Sequence, residues 1–133
     1  MSIPSSVPAS IECTEDAIAV ADAAFGPDDL VAIVDGAAKL LVPIAGTIPP
    51  DAIRNVDALV LEMAGDEPGC RLVLATRRHR GPSMVLESEL ELWRELLAEH
   101  RGRRLRLVDW LVFLDDGFVL SLAELAGPPP VWG

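Results

Sequence analysis

The sequence predicts an α/β domain, a mixed sheet of about five strands with helices packed on it. Three observations carry this expectation. Segments with apolar residues at helical spacing alternate with short β-branched runs. Asp35-Gly36 and Asp115-Asp116-Gly117 separate two pairs of such runs as turn signals. Half of the residues are apolar, yet there are only three Trp, three Phe and no Tyr, so the core must be aliphatic. A chain of 133 residues is long enough to bury one such core in a single domain.

Residues 1–9 read as a flexible Pro/Ser lead-in, residues 10–127 as the domain, and residues 128–133 as an extended tail. From Ser10 to Phe25, Ile11, Ile18 and Phe25, with alanines between them, mark an amphipathic helix ended by Gly26-Pro27. LVAIV, residues 30–34, is the first strand, and KLLVPI, residues 39–44, the second. Pro43 lacks an amide hydrogen, which places that strand at an edge or ends it there. Pro49-Pro50-Asp51 opens a second helix, with Ile53, Val56, Leu59, Val60 and Met63 on one face. After the loop GDEPG, residues 65–69, CRLVLAT at 70–76 is apolar enough for a central strand. A third helix is expected from about Met84 to Arg101, with Ser83 as its cap. RLRLVDWLVFL, residues 104–114, and FVLSL, residues 118–122, complete the strands. In the tail, three prolines favour an extended backbone, and Trp132 folding back over a sheet edge is its simplest role.

The net charge is −10, unevenly spread. Residues 1–70 carry a net of −10, residues 71–106 a net of +4, and residues 107–133 a net of −4. This balance argues against a general nucleic-acid coat protein while leaving room for a local basic site. The start of the chain lacks a basic segment followed by an apolar run, so it does not read as a signal peptide. No stretch approaches the ~20 apolar residues of a membrane span. Cys13 and Cys70 form no short motif. A cytoplasmic protein is the default expectation, without a membrane association. Edge strands leave pairing into a homodimer open as a geometric option.

The second half carries a more specific pattern. The strand LVLAT, residues 72–76, runs into a loop containing Pro82-Ser83, and an amphipathic helix follows. LRLVDWLVFLDDGFVLSLAEL, residues 105–125, then stands where a known pattern reads roughly LLDHIIIG, a Gly turn and YVSLKE. Over about residues 70–127 the chain thereby resembles the RadC-like branch of the JAB/MPN (JAMM) metalloprotein family. The first half agrees with that family only in the order of elements. The resemblance implies a JAB/MPN-like three-layer arrangement. It also implies a loop with a His-x-His-Pro-Ser-Gly pattern, in which two histidines and a later carboxylate bind zinc and activate a water.

This sequence departs from that pattern. One register puts Thr76 and Arg78 at the histidine positions and Glu89 at the acid. The other puts Arg77 and His79 there, and Leu90 at the acid. Neither supplies a complete ligand set. An arginine stays protonated and repels a metal cation. The other histidine, His100, is expected ~20 Å further along the third helix. The zinc site therefore reads as lost, with no metal, cofactor or catalytic residue assigned. Asp109 matches an Asp of the family strand, next to a histidine that is Trp110 here. The degenerate metal-site positions are thus Thr76, Arg78, Glu89 and Asp109. A carboxylate in an apolar strand needs partners, either loop amides or an arginine.

The loop RRHRGPS keeps a second option. Arg77, Arg78, His79, Arg80 and Ser83 at a helix start form an anion-binding candidate, against the plainer reading of a loop neutralised by Glu87 and Glu89. Arg101, Arg103, Arg104 and Arg106 form a second basic run, without the interleaved aromatics that stack single-stranded nucleic acid. No nucleophile elbow, phosphate-binding glycine loop or dinucleotide fingerprint occurs. Three expectations follow. The first is a non-catalytic RadC/JAB-like domain that binds or regulates, its target a partner protein or an anionic ligand at the loop. The second is an anion- or nucleic-acid-binding accessory protein. The third is a metal-independent enzyme using Asp109, Glu89 and His79.

Overall fold

The computed structural model describes residues 13–25, 30–35, 40–44, 50–66, 69–79 and 82–126. The expected lead-in and tail, Gly36, Arg80 and Gly81 lie outside them. The elements run α1 (Thr14–Phe25), β1 (Leu30–Asp35), β2 (Leu40–Ile44), α2 (Pro50–Ala64), β3 (Arg71–Arg78), α3 (Glu87–His100), β4 (Arg106–Leu114), β5 (Val119–Ser121) and α4 (Leu122–Ala126). The sheet order is β2-β1-β3-β4-β5. β1 pairs antiparallel with β2 and with β3, β3 parallel with β4, and β4 antiparallel with β5. The parallel step is the one that has a helix, α3, as its crossover, because parallel neighbours need a long connection. The α/β class and the mixed sheet are those expected from the sequence. β2 is an edge strand, so Pro43 costs no ladder bond on its outer side.

Both faces of the sheet are covered by helices. On one face Val31, Ile33, Val73, Ala75 and Leu111 pack against Ala17, Val20, Ala21 and Phe25 of α1. On the other, Leu30, Ala32, Leu72, Leu74, Trp110 and Val112 meet α2, α3 and α4 through Val56, Val60, Leu92, Trp93, Leu96 and Leu122. Strands covered on both faces read as continuous apolar runs, which is why LVAIV and LVLA show little alternation.

A register shift lies between Leu72 and Val73, opposite Leu107 and Asp109 of β4. The unpaired Val108 is a bulge, and it changes the strand's parity. Leu107 and Trp110 both face the α2/α3 layer, whereas Val108 and Leu111 face α1. The bulge therefore turns Asp109 to the face of Leu111, away from Trp110.

Several boundaries differ from the sequence expectation. β3 continues through Arg77 and Arg78, because their backbones pair with Phe113 and Leu114 of β4. α3 begins at Glu87 rather than near Met84, and Ser83 does not cap it: Leu86 holds that position. β4 starts at Arg106 rather than Arg104; the amides of Arg104 and Leu105 donate instead to the Gly65 carbonyl, at 2.9 and 3.0 Å. This leaves Arg104 outside the strand. Gly65 is itself required there, since a Cβ would come within 3.0 Å of the Leu61 carbonyl and of the Arg103 guanidinium. Leu122, expected to end a strand, begins the short helix α4.

Candidate functional site

The basic loop is divided by strand alternation. Arg77 and Arg78 are neighbours on β3, so they project to opposite faces. Arg77 lies over the Phe25 ring, 4.8 Å from its centroid, on the α1 face. It lines a cavity of about 290 Å³ with His79, Asp22, Phe113 and Asp115. His79 Nδ1 is 3.6 Å from Asp115 Oδ1, and both side chains are largely exposed.

Arg78 turns the other way and is held on all sides. Its guanidinium donates to the carbonyls of Pro82 at 2.5 Å and Met84 at 2.8 Å, and it forms an ion pair with Glu89 Oε1. Side-chain exposure of this pair is only 11% and 14%, so water screens it less than a surface bridge. Glu89 Oε1 also accepts the Leu86 amide at 2.8 Å, in the first turn of α3 where a negative charge is favourable. One carboxylate thus caps the helix and fixes the loop that precedes it. The local sequence explains this: Leu86, at the cap position, has no polar side-chain atom, and Glu89 stands three residues beyond it.

Next to this pair, buried Thr76 Oγ1 accepts the Trp110 indole Nε1–H at 3.0 Å. Three of the four degenerate metal-site positions, Thr76, Arg78 and Glu89, therefore lie on the α3 side at the end of β3. The structure does not bring Asp109 to them. Asp109 is fully buried on the other face. It accepts the Ser121 hydroxyl at 2.5 Å, the Trp110 amide at 2.8 Å and the Ala123 amide at 3.0 Å. Of the partners expected for it, backbone amides are present, and no arginine joins them among the described residues. Burial pushes the Asp109 carboxyl above its ordinary value, and these three donors pull against that shift.

The donor set does not fit zinc. At the position that the resemblance would give to the second histidine stands the Arg78 guanidinium, a cation already bound to the carboxylate that a metal would need. The set Asp109, Glu89 and His79 is not assembled either: they lie on opposite faces of the sheet or, for His79, against Asp115. Of the anion-binding candidate, Arg78 is committed to carbonyls and Glu89, Arg77 and His79 face the α1 side, Ser83 is exposed, and Arg80 lies outside the described residues.

One buried polar pair was not expected from the sequence. His100 Nε2 lies 2.6 Å from Asp57 Oδ1, and Nδ1 lies 3.0 Å from the Leu105 carbonyl. A carbonyl only accepts, so Nδ1 carries a proton. The signal was present in the spacing. Asp57 falls between Ile53 and Val60 on the apolar stripe of α2, and His100 continues Trp93 and Leu96 on that of α3. A polar residue on each of two buried stripes is most cheaply accommodated as a pair.

Among the described residues no helix is long and apolar enough to cross a membrane. Compared with protein-family models, with curated proteins and with solved structures, the chain finds no match.

Proposed function

We propose that this chain is a non-catalytic JAB/MPN-like domain that acts by binding, with an internal ion pair standing where the metal of such a domain would sit. The single observation carrying this reading is the Arg78–Glu89 pair. A metal there would join the end of β3 to the helix that follows. The guanidinium makes the same connection, from Arg78 to Glu89, Pro82 and Met84. A cation fixed on the chain supplies the structural link without an open coordination position, and so without activated water. The helices on both sheet faces and the β3–α3–β4 crossover support the three-layer arrangement implied by the resemblance.

Zinc binding tests this directly. The purified protein is dialysed against zinc and its metal content measured beside that of a Thr76→His, Arg78→His double variant. The native chain is expected to retain no stoichiometric zinc. The double variant, which places two imidazoles beside Glu89, is expected to gain a zinc ion that Glu89→Gln weakens. Stoichiometric zinc on the native chain, lost in Glu89→Gln, would overturn the reading.

A further inference from the structure

The cavity of about 290 Å³ on the α1 face is built by strand register. Arg77 of β3 pairs with Phe113 of β4, and Phe113 with Val119 of β5. Neighbours in register project to the same face, so these three side chains form one row across the sheet. Phe25 holds two members of that row. The Arg77 guanidinium lies over its ring, and Phe113 meets it edge to face with centroids 5.0 Å apart. Ile18 and Asp22, four residues apart on one face of α1, complete the cavity from the helix side. His79 and Asp115, each two residues beyond the row, stand 3.6 Å apart at its exposed edge.

The cavity lies at the carboxyl ends of the parallel pair β3 and β4, where ligands of α/β sheets bind. β3 continues to α3 on the opposite face, so its own connection leads away from this end. The charges around the cavity are of both signs. Arg77 supplies a guanidinium, and Asp22 and Asp115 supply carboxylates. Asp115 has His79 beside it, whereas no ion pair holds Asp22 among the described residues. A simple anion would meet two carboxylates here, and a simple cation would meet Arg77. A ligand carrying both charges matches both. Ile18, Phe113 and Val119, all partly buried, add an apolar wall. The volume is at the small end of the ~300–1,000 Å³ of ligand pockets, which suits a ligand of amino-acid size.

We propose that this cavity binds a small zwitterion, an amino acid with an apolar side chain. Its carboxylate meets the fork of Arg77, its ammonium meets Asp22, and its side chain packs against Phe113 and Val119. The inference does not depend on the reading of the Arg78–Glu89 pair, because Arg77 and Arg78 project to opposite faces of β3.

The test is a ¹H–¹⁵N NMR titration of the full chain with L-leucine, with N-acetyl-L-leucine, which lacks the ammonium, and with L-leucinamide, which lacks the carboxylate. Leucine is expected to give saturable shifts at amides around Ile18, Asp22, Arg77 and Phe113, with a Kd of about 1 mM or below. Each blocked form should bind about tenfold more weakly or worse, because it leaves one charge of the cavity unmatched. Asp22→Asn, at an exposed helix position, should weaken leucine by about tenfold without weakening N-acetyl-leucine. Arg77→Gln should weaken leucine without weakening leucinamide. If Arg77→Gln fails to fold, Asp22→Asn decides. Absent or scattered shifts, equal binding of either blocked form, or an unchanged leucine affinity in Asp22→Asn would each overturn the proposal.

Discussion

Asp109 shows how one carboxylate can be both costly and necessary. It is fully buried, and burial raises its carboxyl above the ordinary value of 3.8. It also answers three donors, two of them backbone amides. Asp109→Ala strands those donors in the interior and should cost about 3 kcal/mol or more, read from the urea midpoint. Asp109→Asn keeps a carbonyl oxygen for the amides and removes the titration. The sign of the pH effect follows from the raised value: the folded chain binds this proton more tightly than the unfolded chain. The stabilisation from this group is therefore complete below about pH 4 and is lost as pH rises through the raised value. The stability of Asp109→Asn relative to the native chain should accordingly increase between pH 4 and neutrality. A difference that stays flat across that range would show that Asp109 does not titrate there.

At the scale of the element, α3 and α4 are both capped by residues that also hold tertiary contacts. α3 has no capping hydroxyl, and Glu89 takes the Leu86 amide together with Arg78. Glu89→Ala removes the cap and leaves Arg78 partly buried without its carboxylate. It should cost about 2–3 kcal/mol in thermal or urea unfolding. Ser83→Ala should change stability by less than about 0.5 kcal/mol, because Ser83 is exposed and lies outside the cap. The reverse order of effects would return the helix start to Ser83. α4 begins where Ser121 Oγ accepts the Glu124 amide at 3.2 Å and Asp109 accepts that of Ala123. Ser121 followed three residues later by Glu124 is a helix-start pattern, so this element was legible. It was obscured by the apolar run FVLSL, which suits a strand as well as a helix.

At the scale of the molecule, the His100–Asp57 pair joins α2 to α3, and the Leu105 carbonyl ties both to the chain entering β4. The pair lies beneath a groove whose walls are those same two helices. Truncating His100 to Ala leaves Asp57 buried without its partner and should lower unfolding free energy by about 3–5 kcal/mol. Trp93 and Trp110 are buried in the same layer, so their fluorescence follows the transition. A loss below about 1 kcal/mol would mean that packing, rather than this pair, holds the two helices together.

The sequence by itself determined the class of the fold. Periodicity located α1, α2, α3 and the β-branched runs, and the proline of β2 marked an edge, because these signals are local properties of the backbone. It also placed Thr76, Arg77, Arg78 and His79 together at the end of one apolar run. The tertiary structure decided what those residues do. Extension of β3 along β4 sent Arg77 and Arg78 to opposite faces, so one run of basic residues became two separate environments. The bulge at Val108 turned Asp109 away from Thr76 and toward Ser121. The pairing of Asp57 with His100, 43 residues apart, depends on how two helices pack side by side. Each of these outcomes is set by register and packing between distant segments, which no local window of sequence contains.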